Sequence, residues 1–512
     1  MNLAILHYHL NRGGVTRVIA SHLLALDSIL DGQQRWRVVV FHGGRDDGWP
    51  RDLATRLKHI DLDLHVIPAL EYDAERTQAK VSVLSSIQRG LSHYGFDASN
   101  TLLHIHNHSL GKNAELLPAI CSLIREGFAC LLQPHDFAED FRSANYRHLV
   151  HTLGRSVFEQ SAYPIAGHVH YALLNRRDRT ILQTAGVPSE QLHFLPNPVD
   201  DVPTSNRQTA REQLQQKLGV DSSETYVLYP VRGIRRKNVG EFVLWSEVLR
   251  EHAIKLGITL TPLNPAEKKF YDTWRNYAQE HALPCVFGAG DDHGLTFADN
   301  MAAADAILTT SVAEGFGMVF LESWLVDRSL LGRNLPAVTA DFKDQGLEYP
   351  SLYESCDVKV DWFDFKSYER LFQETVSDLA AAYERQTPSP AEIQTALDSH
   401  VRDGWIDFGD LDEVLQSQVI DHLRENHTAR DEFQHRHAAL IESFEIKGVN
   451  PLVEINADRV RTAYGLRASG LNLLSIYQSV MSSERASMLD QLDTERVLEQ
   501  FLDYRNLRLI RT

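Results

Sequence analysis

Short apolar runs recur through the first two hundred residues, each followed by a polar or glycine-containing loop and then a segment of helical periodicity. LAIL runs into HYHLNRGG and the helical VTRVIASHLLAL, and WRVVVF, LHVIPA, TLLHIH and ACLLQP repeat the rhythm. Strands this uniformly apolar need cover on both faces, and the helices between them supply it. The alternation therefore predicts an α/β domain built on a parallel sheet. YPIAGHVH and QLHFLPNPVD read as two more strands bracketing the helical ALLNRRDRTILQTAG, and they close this domain near Asp200. A second alternation starts at TYVLYPVRG and continues through GITLTP, LPCVFGAG and DAILTTS. Between the two lies DVPTSNRQTAREQ, polar and without a strand pattern, which reads as a linker; RQTPSPAE near residue 385 reads as another. The expected organisation is one domain over 1–205, a second over 220–385, and a helical C-terminal extension over 386–512 that partly packs back on the first.

Composition narrows the functional classes. A chain of 512 residues, 43% hydrophobic and 23% charged, has ordinary globular composition and room for several cores. No stretch reaches the roughly 18 apolar residues needed to span a bilayer, and MNLAILHYHL lacks the basic start and long apolar core of a signal peptide. The expectation is a cytoplasmic protein with no integral membrane segment. A net charge of −18 disfavours nucleic acid as a partner. The cysteines, Cys121, Cys130, Cys285 and Cys356, have no paired metal-site spacing and are expected to be reduced thiols.

In parallel α/β sheets ligands gather beyond the carboxyl ends of the strands. That rule selects the loops HLNRGG, HNHS, QPHDF, PVRGIRRKN and SVAEGFG. In PVRGIRRKN, Arg232 and Lys237 follow the strand YVLYP with Arg235 and Arg236 between them; cations there are placed for phosphate oxygens, or else form a solvated basic turn. In TTSVAEGFGMVFLESW, Glu314 and Glu322 flank a Gly-Phe-Gly turn. Gly315 and Gly317 remove the Cβ atoms that would hold a phosphate away from backbone N–H groups at a helix start. If the whole stretch were helical, the two carboxylates would be about 12 Å apart, comparable with a sugar-diphosphate-ribose unit. A carboxylate can accept from vicinal hydroxyls, so one glutamate could grip a sugar and the other a ribose. Spacing alone leaves open the plainer reading of one helix cap and one solvated side chain.

VRGIRRKN followed by DAILTTSVAEGFGMVFLES, with its two glutamates separated by seven residues, resembles the nucleotide-sugar half of the retaining glycosyltransferases of family 4. LNRGGVTRVIASHLLAL is similar to that family's opening glycine loop and helix, QPHDF to its histidine loop, and AGHVHYALL with LPNPVD to its interdomain approach. The resemblance covers roughly residues 1–330 and implies a GT-B fold, two Rossmann-like domains facing across a cleft, the first on the acceptor side and the second on the donor side. It implies a hexosyltransferase moving a sugar from a nucleoside diphosphate donor to an unidentified acceptor with α configuration kept. Residue by residue, it makes Arg232 and Lys237 the clamp on the donor diphosphate and Glu322 the ribose ligand. Glu314 would contact the transferred sugar, and Gly315, Phe316 and Gly317 would lend backbone N–H groups. Gly13 and Gly14 would border donor or acceptor from the first domain, and His135 would touch the sugar near the reacting carbon. No cofactor and no metal are expected, since Arg232, Lys237 and the helix start at Gly315 would together neutralise a leaving diphosphate.

The chain also departs from that pattern. A short Gly-x-Pro turn usually follows the second glutamate closely, whereas Gly332 and Pro336 come late and apart, and nothing in 340–512 matches an assignable motif. Other readings compete. HIHNH places His104, His106 and His108 on one face of an extended strand, HYH adds His7 and His9, and His-x-His on a strand can bind zinc; no downstream acidic and histidine set completes a recognisable constellation. GAGDDH at Gly288 has only two glycines of a dinucleotide fingerprint, and no P-loop occurs. A sugar-nucleotide epimerase or a phosphorylase would use the same donor residues. A non-catalytic sugar-binding or scaffold protein would have lost them.

Overall fold

The computed structural model describes residues 1–31, 35–76, 81–203, 205–445 and 450–511. The chain forms two compact units. The first comprises Met1–Asp200, Ala382–Arg385 and Arg461–Asp503; the second comprises Asp201–Ala381, Gln386–Val460 and Tyr504–Thr512.

The first unit is built on seven strands: β1 (Asn2–Leu6), β2 (Trp36–His42), β3 (Ile60–Val66), β4 (Thr101–His106), β5 (Ala129–Gln133), β6 (Val169–Leu173) and β7 (Leu192–Phe194). They pair in the order β3-β2-β1-β4-β5-β6-β7, all parallel. Every residue of β4 and β5 is buried, the polar Thr101, His104, His106 and Gln133 included, so neither strand shows the polar-out alternation of a half-exposed one. One face packs on the helix Gly14–Asp27 through Ile19, Leu23 and Leu26, and on the helix Leu466–Ser482 through Leu473, Ile476 and Val480. Gly470 lets the two helices approach each other, because a Cβ there would lie 2.2 Å from the Ala25 carbonyl oxygen.

The second unit repeats the plan with six parallel strands: β8 (Thr225–Arg232), β9 (Ile254–Leu260), β10 (Cys285–Phe287), β11 (Ala306–Thr309), β12 (Ser329–Arg333) and β13 (Leu352–Tyr353). Their order is β10-β9-β8-β11-β12-β13. In each sheet the strand order reverses beside the first strand, between β1 and β4 and between β8 and β11, and the crevice at that reversal is where such sheets bind ligands.

The structure differs from the sequence reading in several places. Arg207–Leu218, inside and beyond the expected linker, is a helix capped by Asn206, and its Arg207 and Arg211 hold Asp305 of the second unit. Its charged faces carried no apolar stripe to announce it. β12 was not anticipated either, since its five residues end on Arg333, whose charge is met only by residues distant in sequence. The stretch expected as an extension over 386–512, partly packed back on the first domain, divides between the units: Gln386–Val460 and Tyr504–Thr512 belong to the second and Arg461–Asp503 to the first. Among the described residues no helix is long and apolar enough to cross a membrane.

Candidate functional site

The crevice of the second unit is formed by the loop after β8 and the loop after β11. The chain leaves β8 at Arg232, makes a 3-10 turn over Arg235–Lys237, and passes through Asn238 with φ +50 into the helix Val239–Val248. Tyr229 on β8 donates its hydroxyl to the Lys237 carbonyl at 3.0 Å, and Thr310 donates to the same carbonyl at 2.9 Å. The Val312 amide donates to the Arg236 carbonyl at 3.0 Å, so the two loops are joined backbone to backbone.

This joining brings four predicted or neighbouring side chains together. Lys237 Nζ and Arg236 Nη1 both donate to the Glu314 carboxylate, Arg236 at 3.1 Å, and Ser311 Oγ donates to it at 2.7 Å. Burial alone would raise the pKa of Glu314; the charges of Lys237 and Arg236 and the hydrogen bonds from Lys237 and Ser311 outweigh it and hold the pKa down to about 2. Glu314 is therefore an anion at neutral pH, with Lys237 as its ion-pair partner. Arg232 lies half-buried at the strand end, and its guanidinium makes no hydrogen bond or ion pair among the described residues. The sequence reading counted Arg232 and Lys237 as a pair; the pair that forms is Lys237 with Glu314, and Arg236 joins it.

Gly315, Phe316 and Gly317 follow Glu314. Gly317 has φ +80, and a Cβ there would come within 2.6 Å of the Phe320 ring, so glycine is required for the turn. Phe316 is buried, edge-on to Phe342 at 5.3 Å. The helix begins only at Val319 and spans Val319–Leu325, with Glu322 in its first turn and largely buried. Glu314 and Glu322 thus do not share a helix, contrary to the fully helical spacing considered above, because the positive-φ glycine turns the chain between them.

Residues far along the chain brace this crevice, and no local signal in the sequence points to them. Glu413 takes Arg235 in a bidentate pair at 2.6 and 2.9 Å, and Gln416 donates to Asn238 at 2.9 Å. Arg235 is thereby committed to the fold, with its guanidinium also 4.3 Å from the Phe270 ring centroid.

In the first unit, Gly13 and Gly14 open the helix Gly14–Asp27 at the end of the β1 loop. Gly13 is extended, no side chain caps the helix start, and a Cβ on Gly14 would meet nothing within 4 Å. The fold itself does not demand glycine at position 14. His135 follows β5, with its backbone N–H and that of Asp136 both donating to Asn107 Oδ1, at 2.7 and 3.0 Å. Its ring Nε2 is 2.9 Å from His106 Nδ1, and burial, with the nearby His104, pushes its pKa down to about 3. The ring is neutral near pH 7. His108 does not continue the face of His104 and His106, because Asn107, with φ +56, turns the chain before it; its Nε2 bonds the Ala162 carbonyl at 3.1 Å. All four cysteines are free.

No known protein family's sequence profile matches this chain. Mannosylglucosyl-3-phosphoglycerate synthase of Petrotoga mobilis is 24% identical over 536 aligned residues, covering 99% of each chain. Among solved structures, Anabaena HepE in complex with UDP and glucose superposes with a TM-score of 0.54 at 12% identity, over 94% of this chain and 100% of that one. Sucrose-phosphate synthase from Thermosynechococcus elongatus gives 0.52 at 13% identity, over 94% and 99%. The fold is GT-B, two Rossmann-like parallel-sheet domains.

Proposed function

We propose that this glycosyltransferase is of the family 4 type and moves a hexosyl group from a nucleoside diphosphate sugar to an acceptor hydroxyl with retention of α configuration and without a metal. The observation that carries this reading is the crevice between β8 and β11, where Lys237 and Arg236 converge on Glu314 and Arg232 ends β8 with no side-chain partner among the described residues. Two or three cations there suit a diphosphate, and the carboxylate, kept ionised, suits hydroxyls of the transferred sugar. Glu322 takes the ribose, and the backbone N–H groups of Gly315, Phe316 and Gly317 face sugar and phosphate. In the first unit, His135 touches the sugar near the reacting carbon, and Gly13 and Gly14 let a ligand approach the backbone.

In the transfer, the bond from the anomeric carbon to the diphosphate oxygen breaks and the acceptor oxygen bonds to the same face of that carbon. The acceptor's proton passes to the leaving phosphate oxygen. Arg232 and Lys237 stabilise the charge that develops on the diphosphate, so neither glutamate needs to act as a covalent nucleophile. Paired roles of this kind separate in mutants. Glu322→Gln should weaken the free nucleoside diphosphate and the full donor alike, whereas Glu314→Gln should spare the free nucleotide and impair transfer. Calorimetric titration of each variant, with the product anomer read by NMR, checks both; a β product, or equal loss of nucleotide affinity in the two variants, would overturn the assignment. Transfer should also persist when EDTA is added to the assay, and a complete loss restored by magnesium or manganese would contradict a purely cationic clamp.

For the acceptor, the Petrotoga relative favours an anionic glycoside, since it is named for making mannosylglucosyl-3-phosphoglycerate and aligns end to end. The first unit has a cavity of about 440 Å³ whose lining includes Arg45, Arg76 and Arg89 against Glu71 and Glu75. A screen crossing nucleoside diphosphate mannose and glucose with glucosyl-3-phosphoglycerate and with neutral sugars tests this. Transfer to the neutral sugars alone would refute it.

A further inference from the structure

The first unit buries a group of imidazoles that the proposed transfer does not use. His22 on the helix Gly14–Asp27 and His104 and His106 on β4 each place one ligand nitrogen within 4.8 Å of the others. All three are at most 1% exposed. The two-residue period of a strand puts His104 and His106 on one face, where their rings stack at 4.3 Å; the His22 ring lies 5.8 Å from His104 and 6.1 Å from His106.

Their hydrogen bonds are incomplete in a specific way. His104 Nε2 faces Gln133 Oε1 at 2.9 Å; the amide oxygen only accepts, so Nε2 carries the proton and Nδ1 is the lone pair, 2.8 Å from the Tyr477 hydroxyl. His106 Nδ1 is engaged with His135. His106 Nε2 and both nitrogens of His22 have no partner among the described residues. A buried polar atom left unmet costs about 1–3 kcal/mol; a neutral imidazole offers one lone pair, so His106 Nε2 and one nitrogen of His22 are two unmet acceptors that a single cation could share with His104 Nδ1. Gln133 and His135 already hold the outer nitrogens of His104 and His106, as the supporting residues of metal-bound histidines do.

We infer that His22, His104 and His106 bind a single zinc ion, with the Tyr477 oxygen beside them as an available fourth donor. Imidazoles without a carboxylate favour a late first-row ion over magnesium or calcium, and zinc accepts a tetrahedral set. At metal–nitrogen distances of about 2.0–2.1 Å the nitrogens would draw inward to roughly 3.4 Å from one another. The ion would tie the helix Gly14–Asp27 to β4 and, through Tyr477, to the returning helix Leu466–Ser482. Strand spacing had marked His104 and His106; the third ligand comes from a helix, where no motif announces it.

The test is elemental analysis of tag-free full-length protein purified from zinc-supplemented culture, followed by release into a chromogenic chelator before and after denaturation. About one zinc per chain, freed on denaturation, is expected. His22→Gln and His106→Gln should each lose it at least tenfold in occupancy, with circular dichroism confirming a folded chain. His193→Ala, which removes a histidine stacked on His170 elsewhere in the unit, should retain it. Cobalt loaded in place of zinc should give the intense visible bands of a four-coordinate site, a readout that does not depend on transferase activity. Protein with under 0.1 zinc per chain that takes up none from micromolar zinc would overturn the inference, as would equal zinc content in the wild type and the two glutamine variants.

Discussion

Replacing Arg333 by methionine should destabilise the second unit by about 3–5 kcal/mol, the range found when one member of a buried ion network is removed and its partners stay charged. Arg333 is wholly buried at the end of β12. Its guanidinium meets Glu241 on one side, with Nε at 3.2 Å from Oε1, and Asp407 on the other, with Nη1 and Nη2 at 2.6 and 2.8 Å from the two carboxylate oxygens. Tyr353 also donates to Glu241, and Arg508 donates to Asp407 at 2.9 Å. Methionine fills similar volume but leaves Glu241 without a cation, while Asp407 keeps only Arg508. The loss should appear as a fall in the unfolding midpoint on the order of 10 °C. Glu241→Gln combined with Arg333→Met should recover part of it, because the stranded charge is then gone. A single-variant change under about 1 kcal/mol would show that the network does not support the fold in this way.

That network also marks the limit of what the sequence disclosed. Strands such as TLLHIH and TYVLYP were legible because burial on both faces leaves them apolar, and the ligand loops followed from the rule that crevices lie past strand carboxyl ends. Arg232, Lys237 and Glu314 were singled out in that way. What joins Lys237 to Glu314 was not legible: Arg236 read as one charge in a basic turn until the two loops came into register. Glu413 and Gln416, which brace the loop, come 178 residues after their partners. Pairings at that separation carry no periodicity or spacing, and the helical pattern past residue 385 did not say which helices dock on which unit, because helices are local while their docking is not. Glu322 and Glu314 were read as possible occupants of one helix for the same reason, since the positive φ of Gly317 is a backbone property that a glycine permits without announcing.

Lys237→Ala should lower kcat/KM by about 30- to 1000-fold, equivalent to about 2–4 kcal/mol of transition-state stabilisation, the amount one well-placed electrostatic donor supplies. Two consequences follow from the geometry, and together they separate a local effect from general damage. Glu314 would keep only Arg236 and Ser311 against the burial that raises its pKa, so its titration should move upward from about 2. In the wild type this depressed pKa means that the stabilisation from ionised Glu314 is fully present above the unfolded value near 4.3, and is lost as pH falls from there through about 2. In the variant that loss should begin at a higher pH, and an acidic limb should enter the pH–rate profile where the wild type shows none from this group. Lys237→Arg restores the charge with a different shape and should recover part of the rate along with the ionisation of Glu314. If Lys237→Ala stays within threefold of wild type in kcat/KM, the diphosphate is held elsewhere. If the rate falls while no acidic limb enters the profile, Lys237 acts on the donor without holding Glu314, and the ion pair would not be the feature that sets the charge of this crevice.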